Sequence, residues 1–101
     1  TALFAANNFI AIGALRALRD AGLRVPEDMA VAGFDDLPEE LIVEPFLTVS
    51  AQPAYEMGQQ AMALLLSRIA GNAPEEFQEI VLPTELRVRA SSNLKLEKYS
   101  Q

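Results

Sequence analysis

Apolar side chains recur along this chain with two different periods, and the changes of period mark out its elements. Thr1–Ala6 is a short, nearly continuous apolar run, the pattern of a strand covered on both faces. From Phe9 to Ala21 the spacing becomes helical, with Ala11, Ala14, Leu15, Leu18 and Ala21 on one stripe. Gly22 stands where a left-handed residue closes a helix, Leu23 can fold back on the last turn, and Pro26 prevents continuation. Met29–Phe34 is a second apolar run. Strand, helix, strand predicts a βαβ unit with parallel strands and a right-handed crossover.

The segment from Asp35 to Phe46 carries turn signals and then an apolar cluster, Leu41, Ile42, Val43 and Phe46. Leu47–Gln52 reads as another short strand. Pro53 suits a first helical turn, and a long helix is predicted from there to Ala70, ended by Gly71 and Asn72. Its Met57, Ala61, Met62, Leu64 and Leu65 read as core packing; Tyr55, near its start, is left for other work, as is Gln52 just before it. After the acidic loop Pro74–Glu76, Thr84 to Arg89 alternates strictly. Leu86 and Val88 point one way and Glu85, Arg87 and Arg89 the other, which with Pro83 predicts an edge strand. The polar last ten residues, and 93–101 in particular, are expected to fray.

Composition narrows the chemistry. The 101 residues include no cysteine and no histidine. Structural zinc, disulfides and Cys/His or Ser/His catalysis are thereby excluded, and no loop has calcium-binding spacing. No metal or other cofactor is expected. Eight Lys+Arg against fourteen Asp+Glu give a net charge of −6, a poor partner for nucleic acid, so this stretch is not expected to bind DNA by itself. No apolar run approaches the length of a membrane span. The abrupt opening inside a strand predicts a piece of a longer chain.

In a parallel sheet with crossover helices, ligands collect beyond the carboxyl ends of the strands. Two such ends are legible, Ala5–Asn8 and Gly33–Asp36. Their short oxygen-bearing side chains suit hydroxyl, amino or amide groups, and no Gly-rich phosphate loop follows either strand. Asn and Asp after a strand are more often caps than ligands. Asp36-Leu-Pro-Glu39 has the order of a capping box, which assigns Asp36 a structural task and leaves Asp35 free. Asn8 can likewise cap the first helix and leave Asn7 free. Two adjacent aspartates do not converge across a substrate, and no activating base or oxyanion cation accompanies them, so no enzyme is expected. On the other face of the first helix, Phe9, Ile12, Arg16 and Arg19 form a mixed apolar and basic stripe. This is either a solvated helix face or a subunit contact, and the loop cluster from Leu41 to Phe46 supports the contact.

Three runs carry a family resemblance: AANNFIAIGALRALRDAGLRVPEDMAVAGFDDLP, LTVSAQPAYEMGQQAMALLLSRIAG and VLPTELRVRASS. In this order and spacing, from Thr1 to about Ser92, the chain closely resembles the C-terminal part of LacI/GalR-type bacterial transcription regulators. The resemblance implies an α/β fold of the periplasmic-binding-protein-like type I, a parallel sheet flanked by helices. The chain would be an incomplete fragment contributing to both lobes of a two-lobed effector domain. It implies a small-molecule effector (a sugar, sugar derivative or nucleobase), a homodimer, and operator DNA bound through a separate N-terminal helix-turn-helix domain. By position, Asn7 and Asp35 resemble the family's ligand contacts. Gln52, at the hinge, is counted with them as a ligand contact, while the Pro53–Ala70 helix falls in the other lobe and the last strand, from Leu82, back in the first. Ile12, Arg16, Leu41, Ile42, Val43 and Phe46 resemble parts of the dimer interface. Asn8 stands where the family usually has Asp, and Val49 where a second Thr is common. The alternative within the same fold is a periplasmic sugar-binding protein that serves a transporter.

Overall fold

The predicted strand–helix–strand unit forms as β1 (Ala2–Ala5), α1 (Asn8–Asp20) and β2 (Ala30–Phe34) in the computed structural model, which describes residues 1–38 and 46–93. The end of α1 is as its sequence requires. Gly22 sits at φ 75°, its N–H donates to the Arg19 carbonyl at 3.0 Å, and the Leu23 N–H donates to the Leu18 carbonyl at 2.9 Å. This pair of bonds satisfies carbonyls that a helix end otherwise leaves open.

The chain continues through β3 (Thr48–Ala51), α2 (Ala54–Ile69) and β4 (Glu85–Arg87), followed by a 3-10 turn over Ala90–Ser92. The sheet order is β1-β2-β3-β4, with β1, β2 and β3 parallel and β4 antiparallel on the edge. Contacts divide the chain into two units, Thr1–Ala51 with Glu85–Gln101, and Gln52–Thr84. The first unit holds the core: Ala5, Ala11, Val31, Leu47, Val49 and Ala51 are buried, with Leu15, Leu18, Val25 and Met29 packed against them. Small residues let α1 come close to the sheet. A Cβ added at Gly33 would stand 3.6 Å from the Ala11 Cβ and 3.4 Å from the Leu47 side chain.

Hydroxyls pin the segment after β4 to the sheet. The fully buried Ser91 Oγ donates to the Val31 carbonyl at 2.6 Å and accepts from the Thr48 N–H at 2.8 Å. The Thr48 hydroxyl accepts from the Arg89 N–H at 2.8 Å and donates to the Arg89 carbonyl at 3.0 Å. Ser92 Oγ lies 2.6 Å from Thr48 Oγ1. Fraying therefore does not begin at Ser92, and the Asn93 N–H is also held, by the Ala90 carbonyl at 3.3 Å. The rest of the expected tail, 94–101, lies outside the described residues.

Two expectations about burial are corrected. β1 is an edge strand rather than one covered on both faces: Leu3 is 40% and Phe4 64% exposed. The apolar residues of α2 are not core either, since none of its residues is buried. An apolar pattern reports what a side chain would bury against, and in both places the described residues supply no such neighbour.

Candidate functional site

β1 and β2 run in register from Ala2–Ala30 to Ala5–Gly33. Asn7 and Asp35 each follow the last paired residue by two positions, so both leave the sheet at the same edge. This is where an open parallel sheet gathers its ligand groups.

The caps are shared out differently from the expected way. Asn7, with extended backbone at φ −154°, is the N-cap of α1, and its Oδ1 accepts from the Ile10 N–H at 2.8 Å. Its Nδ2 has no partner among the described residues and remains a donor at the exposed rim. Asn8 is instead the first helical residue. Its Nδ2 donates to the Asp36 main-chain carbonyl at 3.3 Å, joining the two strand-end loops. Two adjacent asparagines satisfy the same capping pattern, and only the point where the backbone turns helical separates them.

Asp35 has a positive φ of 76°, the single non-glycine residue of this kind among the described residues. Aspartate tolerates this region better than most side chains. Its N–H donates to the Ser50 carbonyl at 2.8 Å, tying the tip of β2 to β3. Its half-buried carboxylate has no hydrogen-bond or ion-pair partner among the described residues, and its oxygens keep contact with solvent. The backbone of Asp35 is thus structural and its side chain is free.

Asp36 does not cap a helix through its side chain among the described residues; Glu39 of the expected capping box lies outside them. The Asp36 carboxylate instead accepts two parallel bonds from Arg89, Nη1 to Oδ1 at 2.8 Å and Nη2 to Oδ2 at 2.9 Å. Arg87 Nη1 adds a contact to Oδ2 at 2.6 Å, and the Leu37 N–H one to Oδ1 at 2.9 Å. The Arg89 hydrogen bonds hold this carboxyl well below the usual carboxylate range, against an opposing pull from burial. Arg89 also donates to the Leu47 carbonyl at 3.0 Å. These arginines were not singled out from the sequence. The signal available was their alternation along Thr84–Arg89, opposite the exposed Leu86 and Val88.

Gln52 follows β3 directly and is the first residue of the second unit. Its carbonyl accepts from the Ala54 N–H at 2.9 Å, and its half-buried side chain is unpaired among the described residues. Ile12 is half-buried and Arg16 exposed on α1, while Phe46 is 37% exposed. Leu41, Ile42 and Val43 lie outside the described residues. Tyr55 is 82% exposed at the start of α2. In the second unit an open groove of about 250 Å³ is lined by Leu64, Arg68, Ala73, Pro74, Phe77 and Gln78, and holds none of the expected site residues. Among the described residues no three carboxylates converge as metal ligands, and no helix is long and apolar enough to cross a membrane.

A family model described as periplasmic binding protein-like domain matches residues 1–92. The chain belongs to that family. Within it, this periplasmic-binding-protein-like chain is similar to the HTH-type transcriptional regulator MalR of Streptomyces coelicolor, at 44% identity over 92 residues, 91% of this chain and 26% of the relative. It is 40% identical over 93 residues to the HTH-type transcriptional repressor PurR of Haemophilus influenzae, 90% of this chain and 28% of the relative. Among solved structures, a LacI family transcriptional regulator from Enterococcus faecalis with bound ribose matches with TM-score 0.80 and 40% identity, over 91% of this chain and 34% of that one. A transcriptional regulator CelR–cellobiose complex matches with TM-score 0.78 and 43% identity, over 90% and 28%. The expected fold and the resemblance to LacI-type regulators are borne out. These relatives are regulators rather than enzymes, and the chain spans about a quarter to a third of their length.

Proposed function

We propose that this chain is the effector-binding and dimerising portion of a cytoplasmic LacI-type transcriptional regulator, a receptor for a sugar or similar polyhydroxylated molecule. The observation that carries this reading is the half-buried, unpartnered Asp35 carboxylate on the same sheet edge as the free Asn7 Nδ2. One supplies an acceptor and the other a donor, the pair that a vicinal hydroxyl group needs. The relatives with ribose and cellobiose bound favour a sugar over a nucleobase, and the regulators among the relatives favour this reading over a transporter's binding protein. With a net charge of −6, operator contact falls to a helix-turn-helix elsewhere in the polypeptide.

Ribose, cellobiose, lactose and a set of nucleobases, added to the intact polypeptide, give a direct test by thermal shift and titration calorimetry. A ligand at about a hundred times its Kd stabilises the folded state by about 2.7 kcal/mol. Stabilisation by a sugar is the expected result; a response to nucleobases alone would count against the sugar reading.

The same reading places a subunit contact on the stripe holding Ile12 and Arg16, with Phe46 and the segment Leu41–Val43. The intact polypeptide is expected to sediment as a dimer and an Ile12→Asp variant as a monomer. An unchanged dimer in that variant would remove α1 from the interface.

A further inference from the structure

The geometry points to Asp36 as a positioning residue for the ligand site: clamped by Arg89 and joined through its carbonyl to Asn8, it holds the Asn7 and Asp35 tips in a fixed relation. This rests on the reading of Asp35 and Asn7 as ligand contacts. Asp36 itself is not a ligand contact, because its carboxylate is already filled by Arg89, Arg87 and the Leu37 N–H.

Three connections meet at this residue. The Arg89 guanidinium bridges the Asp36 carboxylate and the Leu47 carbonyl, so the turn after β2 is fastened to the start of β3. Arg89 is in turn fixed through its main chain by the Thr48 hydroxyl on both its N–H and its carbonyl. On the other side, Asn8 reaches from the first residue of α1 to the Asp36 carbonyl at 3.3 Å, one residue beyond the Asn7 cap. Asp35 lies between these anchors at φ 76°, a conformation open to aspartate but sparsely populated, which the anchors on either side hold in place. A two-pronged charged bond fixes direction as well as distance. Asn8 fits this task through its N–H donor; a carboxylate at that position would face the carbonyl with no proton to offer.

The test has two arms. Crystal structures of Asp36→Asn and Arg89→Lys variants of the intact polypeptide read the Asp35 backbone angle and its bond to Ser50. Arg89→Lys keeps the charge and loses the second prong, so it serves if Asp36→Asn does not accumulate. Departure of Asp35 from its left-handed conformation, or loss of the Ser50 bond, is the expected result; an unmoved Asp35 in either variant overturns the proposal. In the second arm, affinities for ribose, cellobiose and lactose are measured for Asp36→Asn, Asp35→Asn and the double variant. A positioning role predicts that Asp36→Asn weakens binding by about tenfold alone and adds little once Asp35 is already changed. Fully additive losses overturn it. Failure of the unsubstituted protein to bind any of the three sugars counts against the sugar reading, and the structures still decide the positioning role.

Discussion

Asp35→Asn in the intact polypeptide is expected to weaken effector binding roughly ten- to a hundredfold and to leave operator binding unchanged. A hydrogen bond to an ionised group in a desolvated site contributes about 1.5–3 kcal/mol, which sets that range. Asparagine is the informative replacement because it also tolerates a φ of 76°, so the backbone bond to Ser50 survives while the charge is lost. Alanine would remove the carboxylate and strain the turn together. Asp20→Asn, an exposed carboxylate at the end of α1, provides the control for a general change in charge. Titration with the sugar that stabilises the unsubstituted protein decides the matter: equal affinity in Asp35→Asn would remove this carboxylate from the site.

Asp36→Asn, besides its effect on binding, should lose about 2–3 kcal/mol in folding stability by chemical denaturation. The Asp36 and Arg89 side chains are 22% and 18% exposed, so solvent screens their pairing only in part. Asparagine keeps one acceptor oxygen, so one bond to Arg89 is weakened by loss of the charge and the other is lost, since an amide nitrogen cannot accept from the guanidinium. The cost falls below the 3–5 kcal/mol or so of breaking a fully buried pair and above that of a lost helix cap, about 1 kcal/mol. The pH dependence has a definite sign. The folded carboxyl titrates below its ordinary value of 3.8, so its contribution is fully present above that value and is lost as the pH falls through the folded one. The gap between the two proteins should therefore be constant near neutral pH and close in acid. A gap that widened on acidification would contradict the assignment.

Periodicity was enough for the βαβ unit and both helix ends, because glycine at φ 75° in Gly22 and Gly71 is written into the local sequence. It was enough, too, to find the strand-end segments that come together at one edge. It failed where the deciding partner is distant. Asp36 and Arg89 are separated by 53 positions, and no local pattern announces their pairing. Asp36 read from its neighbours alone is a cap; read with β4 in place it is the centre of an ion-pair cluster. The exposed Phe4 and the unburied α2 show the same limit from the apolar side. Asn7 and Asn8 fail for another reason. They are chemically identical, and the assignment turns on a shift of one residue in the helix start.

The left-handed backbone at Asp35 also constrains how such a protein could change its specificity over time. Of the residues one base change away from an aspartate codon, glycine and asparagine accept this backbone most readily, whereas valine, alanine and tyrosine would have to strain it. Both accessible evolutionary steps at this position thus remove the negative charge, asparagine keeping the outline of the side chain and glycine opening the space it filled. New effectors would be reached first through loss of a cation- or hydroxyl-seeking group, and a bulkier side chain would come only at the expense of backbone strain.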